Sequence, residues 1–381
     1  MVALPLVLGT DAPAPAGVDT RPALQGLRPE DLVEIASGIT LGEARKLIAL
    51  IHRGEPFPPR SPAQVRRVSF DRVRERTQVP EMRLVSRIAS AIDPFVKYAL
   101  QAPDGSIVET VKIPLAEPGR VSVCVSSQVG CALACSFCAT GRLGLTRNLA
   151  PWEIVEQVRT VRRDLPAGVR IHGVVFQGMG EPLANFAAVK QAAQLFSEPS
   201  AQAVDARNIT VSTAGLPAGI RALAASLPNL RLAVSIGSAR PEVRRELIPL
   251  ESRYPLATVL EAAGEHARTT DLAPLFAYTL LAGKNDTNED AVALAHIIKD
   301  FAARFGRRPR LSLIPYNSIG EGDPFVRVEE AEYVRFCDVL VENGVIPTRR
   351  YSGGGDVAAA CGQLVGNVTK IAEEGTTPVA R

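Results

Sequence analysis

The period of the apolar residues changes along the chain, and each change marks a boundary. Residues 1–25 are rich in Pro, Ala and Gly, carry no sustained period and are expected to form a tail. From 28 to about 98 the spacing reads as helical. Leu41, Ala44, Leu47, Ile48 and Ile51 fall on one helical face, and Gly54 with Pro56 ends that helix. A second helical stretch at 62–76 carries Arg66, Arg67, Arg72, Arg74 and Arg76 with few acids, so residues 26–100 are expected to be a helical accessory domain with a basic face. A face of that kind is commonly just a solvated helix surface.

After the turn signal PDGS at 103–106 the period shortens. Strands are expected at 106–113, 121–126, 173–176, 209–212, 232–236, 276–281 and 311–314. Helices are expected between the later ones, at 151–163, 186–196, 218–227, 256–267 and 289–305. Repeated βα units imply an α/β fold with a parallel sheet and helices outside it. Five or six units are too few for a closed eightfold barrel and suit an open, partial one. This core spans 101–368, and 369–381 reads as a second tail.

Composition narrows the classes. At 381 residues the chain has room for about two domains, or one barrel with an extension. Hydrophobic residues at 46% and charged ones at 22% exclude wholesale disorder. No window of about 18 uninterrupted apolar residues exists, so no membrane span or membrane partner is expected. The first residues lack a basic signal-peptide region, which points to a cytoplasmic, reducing location. With 43 Lys+Arg against 40 Asp+Glu the net charge is only +3, so nucleic-acid binding would have to rest on local patches.

Cysteine placement changes the picture most. Four of the six, Cys124, Cys131, Cys135 and Cys138, crowd into one stretch, with Cys337 and Cys361 far downstream. A chain this long in a reducing compartment does not need disulfide staples, so the cluster reads as metal or redox chemistry. Residues 131–138 are CALACSFC, a C-x3-C-x2-C spacing that can wrap one inorganic centre. Structural zinc takes four protein ligands, usually as two separated pairs, and His52, His172, His266 and His296 all lie elsewhere in the sequence. Three thiolates on a 4Fe–4S cubane leave one iron for a substrate. From spacing alone both metals stay open.

The string CVSSQVGCALACSFCATGRLGLTRNL, at 124–149, resembles the cluster region of the RlmN/Cfr family of radical S-adenosylmethionine (SAM) RNA adenine methyltransferases. Six further motifs match in order: VETVKIP, GMGEPLANF, VSTAG, LAVSI, LIPYN and GDVAAACGQL, covering about 106–368. The resemblance implies a partial (β/α)6 radical SAM barrel with an N-terminal helical accessory domain. It implies that Cys131, Cys135 and Cys138 hold a 4Fe–4S cluster. SAM contacts are implied at Gly180, Glu181, Ser212, Ser235, Ile236, Gly237 and Asn317. On their own, Gly-Glu-Pro is a turn and a strand-end Ser or Asn a cap.

In such a family Cys361 takes a methyl group from a first SAM, and a radical made from a second SAM activates that methyl for attack on adenine. Cys124 and Glu109 match the positions that handle the proton and release the product. Adenine C2 is electrophilic and cannot take a methyl from SAM directly, whereas a carbon radical can add to it. Taken alone, Cys361 among alanines is a small buried hydrophobe, with Asp356 a candidate helix N-cap before it. Cys337 reads as core, and Trp152 carries no assigned role.

The implied activity is methylation of adenine C2 in 23S rRNA, and in tRNA, by a monomer supplied by an electron donor such as flavodoxin. Arg66, Arg67, Arg72, Arg74, Arg76, Arg349 and Arg350 would grip the RNA backbone. The rivals are C8 methylation and a non-catalytic zinc- or cluster-bearing RNA-binding protein. Two departures stand out. Relatives commonly have Ser-Leu-His where this chain has Ser235-Ile236-Gly237. The stretch YSGGG before Asp356 is richer in glycine than the usual charged version, so a mobile loop is expected there.

Overall fold

The computed structural model describes residues 19–320 and 322–366. The expected C-terminal tail, and all but the last residues of the N-terminal one, lie outside that range.

Three helices open the chain: α1 (Pro29–Ile35), α2 (Leu41–His52) and α3 (Arg67–Arg76). Thr40 begins α2 with a reciprocal cap, its hydroxyl accepting from the Glu43 amide while the Glu43 carboxylate accepts from the Thr40 amide. The apolar face predicted on α2 is buried, with Ala44, Leu47, Ile48 and Ile51 in the core. Leu24 and Gln25, expected in the tail, are buried instead. The Leu24 amide donates to the Gln78 carbonyl at 2.8 Å, so the ordered fold begins ahead of α1.

A ten-stranded sheet follows. Its strands are β1 (Arg83–Ala89), β2 (Val96–Gln101), β3 (Ile107–Pro114), β4 (Arg120–Val125), β7 (Arg170–Phe176), β8 (Ile209–Thr213), β9 (Arg231–Ser235), β10 (Leu275–Leu280), β11 (Arg310–Pro315) and β12 (Pro347–Arg349), in that spatial order. A separate hairpin pairs β5 (Gln128–Gly130) with β6 (Leu145–Asn148). Strands β4 and β7 through β12 are parallel, and β1 to β4 pair antiparallel.

The helices that return the chain are α5 (Pro151–Arg163), α6 (Phe186–Ser197), α7 (Pro217–Ser226), α8 (Pro241–Leu247), α9 (Leu256–Thr270), α10 (Asn288–Phe305) and α11 (Glu330–Glu342), with the short α4 (Ala139–Arg142) inside the cysteine loop. Six βα units therefore make the open barrel. Proline at the first position of α5, α7 and α8 and a Thr287–Asp290 box at α10 set helix starts. Phe301 of α10 packs edge-on against Phe276 of β10, ring centroids 5.2 Å apart. Truncating such a ring to Ala costs roughly 3–5 kcal/mol.

One expectation fails here. Helix was expected to about residue 98, but β1 and β2 occupy 83–101 and extend the barrel sheet by an antiparallel hairpin. β-branched Val85, Ile88 and Val96 favour strands there, and the pairing partner supplied by β3 overrides the helical spacing.

Candidate active site

The cysteine loop leaves the end of β4 through the β5–β6 hairpin. Gly130 closes it at φ 76°, pressed on the Gly144 carbonyl, where no side chain would fit. The Cys131 amide donates to that same carbonyl at 2.8 Å, and the Cys138 amide to the Cys135 carbonyl at 3.2 Å. The three thiols line one cleft at the C-terminal ends of the parallel strands, where ligand sites of open α/β sheets gather. The cleft encloses about 1010 Å³ counted to its open mouth.

Gly180, Glu181, Ser212, Ser235, Gly237 and Asn317 line the same cleft. Glu181 is buried; one carboxylate oxygen accepts from the Leu183 amide at 3.0 Å and the other from the Ala214 amide at 2.9 Å. Burial raises its pKa to about 7 despite those bonds. Gly180 has φ +98°, and a Cβ there would lie 2.5 Å from Gln128 Cβ. Gly237 has φ +71° and sits against Ile248, so a larger residue would demand that Ile248 move. Ile236 is the exception among the predicted contacts. Its side chain is buried off the cleft, and its amide donates to the Ala277 carbonyl at 2.9 Å.

A second cavity of about 440 Å³ adjoins the cleft. Cys361 and Cys138 line both, and Cys124, Val111, Gln177 and Arg350 line the second. Cys124 and Cys361 are free thiols here. Burial raises the Cys124 pKa to about 12, the nearby Cys361 adds to that, and the Arg350 guanidinium opposes it.

Residues 125–298 match the radical SAM superfamily. A probable RNA methyltransferase of Sorangium cellulosum is 57% identical over 357 residues, 88% of this chain and 90% of its own length. A probable dual-specificity RNA methyltransferase RlmN of Moorella thermoacetica is 37% identical over 354 residues, 91% of this chain and 97% of that one. The crystal structure of a radical SAM methyltransferase from Sphaerobacter thermophilus superposes with a TM-score of 0.81 at 33% identity, covering 91% of this chain and 100% of that chain. The chain belongs to the RlmN-type radical SAM RNA methyltransferases.

The donor set suits the group this family implies. The three thiols of the cysteine loop, the Cys361 thiol and no histidine line the cleft. Burial raises the pKa of Cys131 to about 12, that of Cys135 well above the usual thiol value, and that of Cys138 upward too. Bound iron would reverse that by supplying positive charge.

Glu109 lies on the inner face of β3, and it lines neither cavity. One of its oxygens accepts from the amides of Val365 (2.7 Å) and Gly366 (3.1 Å), and the other is 3.3 Å from Lys97 Nζ. Both partners of that ion pair are buried. Glu109 thus grips the segment that carries Cys361.

Asp356 is no helix cap. It sits in a 3-10 turn, and its carboxylate accepts from Ser90 Oγ (2.8 Å) and the Ala91 amide (2.9 Å) in the β1–β2 turn. Nor do the glycines before it loosen the loop. Gly353 and Gly354 are buried against Phe95, and Asp93 accepts from the Gly354 amide at 2.8 Å. Close packing, rather than freedom, is what their missing side chains permit.

The arginines divide. Arg350 faces the thiol cavity and donates to Gln177 Oε1 at 2.8 Å. Arg349 pairs with Glu330 and lies over the Tyr333 ring. Arg66 grips buried Glu43, and Arg72 donates to the Ser37 carbonyl, so both tie the first three helices together. Arg67, Arg74 and Arg76 remain on the exposed surface. Lys97, Asp93 and Gln177 escaped the motif reading. The one signal was the single charge in the apolar run FVKYAL at 95–100.

Proposed function

We propose that this chain methylates C2 of adenine in 23S rRNA, and in tRNA, through a methyl group carried on Cys361. The observation that carries the reading is Cys361 on the shared wall of two cavities, one lined by the cysteine loop and the other by Cys124. The names of relatives such as the Moorella thermoacetica protein support a dual RNA specificity.

In this reading Cys131, Cys135 and Cys138 hold a 4Fe–4S cluster. Glu181 faces the methionyl ammonium of SAM, a cation that would favour its ionised form against burial. Gly180, Ser212, Ser235 and Gly237 line the nucleoside's path, and Asn317 holds the Cys361 carbonyl, 3.4 Å from its amide nitrogen. When bound, the cluster supplies the electron that splits SAM into methionine and an adenosyl radical.

The Cys361 thiolate attacks the methyl carbon of a first SAM, forming S-methylcysteine and displacing S-adenosylhomocysteine. The S-methyl group then loses a hydrogen atom to the adenosyl radical, and its carbon adds to adenine C2. The adduct gives up its C2 proton to a basic group of the cavity and one electron, for which the cluster, oxidised in splitting SAM, would be the acceptor. Attack of the Cys124 thiolate on the Cys361 sulfur forms a disulfide and breaks the S–C bond, and the departing carbon takes a proton to become the methyl group. Arg350 beside Cys124 favours the thiolate that this step needs. The target base must leave its stack to reach the cavity.

Mass spectrometry of nucleosides from RNA treated with the cluster-loaded protein and SAM tests this. The expected product is 2-methyladenosine, absent with Cys361→Ala. Recovery of 8-methyladenosine would establish the other regiochemistry. Methylation that survives Cys361→Ala would end the methyl-cysteine mechanism.

A further inference from the structure

Arg244 of α8 is completely buried, yet it lines no cavity and matches none of the motifs above. Its Nε donates to the Ile236 carbonyl at 2.9 Å and its Nη2 to the Ala214 carbonyl at 2.9 Å, while Nη1 meets the Glu251 carboxylate. Ala214 is the first residue beyond β8 and Ile236 the first beyond β9. Those two strand ends bring Ser212 and Ser235 to the cleft. The Ala214 amide, on the same residue, donates to Glu181.

The same short segment reaches the cysteine loop. The Ser136 amide, between Cys135 and Cys138, donates to the Leu247 carbonyl at the end of α8 at 3.1 Å. Glu251 is fixed in turn by the Leu256 amide at 2.9 Å, the start of α9. One guanidinium therefore joins the ends of two neighbouring strands to the element on which the cysteine loop rests.

We propose that Arg244 is a positioning residue for SAM: it sets the β8 and β9 ends, with Ser212, Glu181, Ser235 and Gly237, at a fixed distance from the cysteine loop. The proposal rests on the radical SAM reading of the cleft. The three acceptors are met from three different nitrogens of one planar group, a spread that the single Nζ of lysine cannot reproduce.

The molecule contains its own control. Arg159 of α5 is equally buried, pairs with Glu156 and donates to the Ile51 carbonyl at 2.8 Å, but it ties α5 to α2 and touches no cleft element.

The test compares cluster-loaded, full-length wild type with Arg244→Lys and Arg159→Lys. Iron and sulfide content, melting temperature and SAM affinity by equilibrium dialysis are measured for each. Arg244→Lys is expected to keep its iron and weaken SAM binding by about tenfold or more, as sub-ångström misplacement of a binding group does. Arg159→Lys is expected to lose melting temperature without losing SAM affinity. SAM affinity within twofold of wild type in Arg244→Lys, or an equal loss in Arg159→Lys, overturns the proposal. Should Arg244→Lys fail to fold, Arg244→Met with Glu251→Leu removes both charges together; undiminished SAM affinity in that double variant overturns it as well. Wild type that takes up no iron and binds no SAM would instead sink the radical SAM reading itself.

Discussion

The cleft and the thiol cavity share Cys361, yet they are built by different means. Outside the cysteine loop, most cleft residues lie within a few residues of a parallel strand end, the exceptions being Ile248 after α8 and the Cys361–Gly362 pair, and those strands are buried on both faces. The cavity closes instead with residues 354–366, which form no long element. Polar groups pin that strap at intervals: Asp93 and the β1–β2 turn at one end, Thr140 Oγ1 on the Leu364 carbonyl at 2.6 Å, and Glu109 at the other end. Buried parallel strands, joined at their ends by Arg244 and Glu181, fix the first site. Separate hydrogen bonds fix the second, and Cys361 stands on the wall between the two.

If the two sites are separable in this way, disabling the cavity should spare the cleft. Cys124→Ala is the strongest such cut. Without a thiolate to attack Cys361, the methylated product stays tethered, and turnover should fall by about 10³-fold or more. SAM affinity and iron content should not change. A gel-resolved covalent complex of protein and RNA is the expected sign. Normal multiple turnover by Cys124→Ala would show that the second thiol is dispensable.

Glu109→Ala should act next most strongly, on the strap. It removes the carboxylate 3.3 Å from Lys97 Nζ and frees two amides, and losing one partner of such a buried pair costs about 3–5 kcal/mol. Proteolysis should then cut within residues 354–366 sooner than elsewhere, while cluster loading persists. Uniform proteolysis along the whole chain would mean that Glu109 supports the barrel rather than the strap.

The same contrast governs what could be read in advance. Five of the parallel strands were expected within a residue or two of their ends, because burial on both faces leaves short apolar runs between turn signals; β7 begins three residues earlier than expected, and the short β12 was not expected. α5 was expected at its observed bounds, since Pro151 marks its start. The β1–β2 hairpin was misread as helix because Leu84, Val85, Ile88 and Phe95 can satisfy either period, and only the distant β3 edge decides. Arg350 and Glu109 show the same limit. Glu109 stood in a legible motif and Arg350 was expected only on the RNA backbone, but their partners Gln177, Lys97 and Val365 lie from 12 to 256 residues away in the chain and leave no local trace.

The smallest expected effect concerns a region with no part in either site. His52, at the end of α2, is fully buried with its Nδ1 3.2 Å from Gln202 Nε2, and burial lowers its pKa to about 3. Between about pH 6.5 and 3 the unfolded chain takes up a proton that the folded chain refuses. Stability contributed by the neutral ring is therefore present above pH 6.5 and lost as pH falls towards 3, at up to about 1.4 kcal/mol per pH unit. Urea unfolding of metal-stripped wild type and His52→Gln at pH 7.5 and 5.0 measures it. Wild type should lose about 2 kcal/mol more than the variant over that span, and cluster-loaded activity at pH 7.5 should match. Equal acid losses in both proteins would place the acid sensitivity elsewhere, with buried His266, whose pKa burial lowers to about 4, as the next residue to substitute.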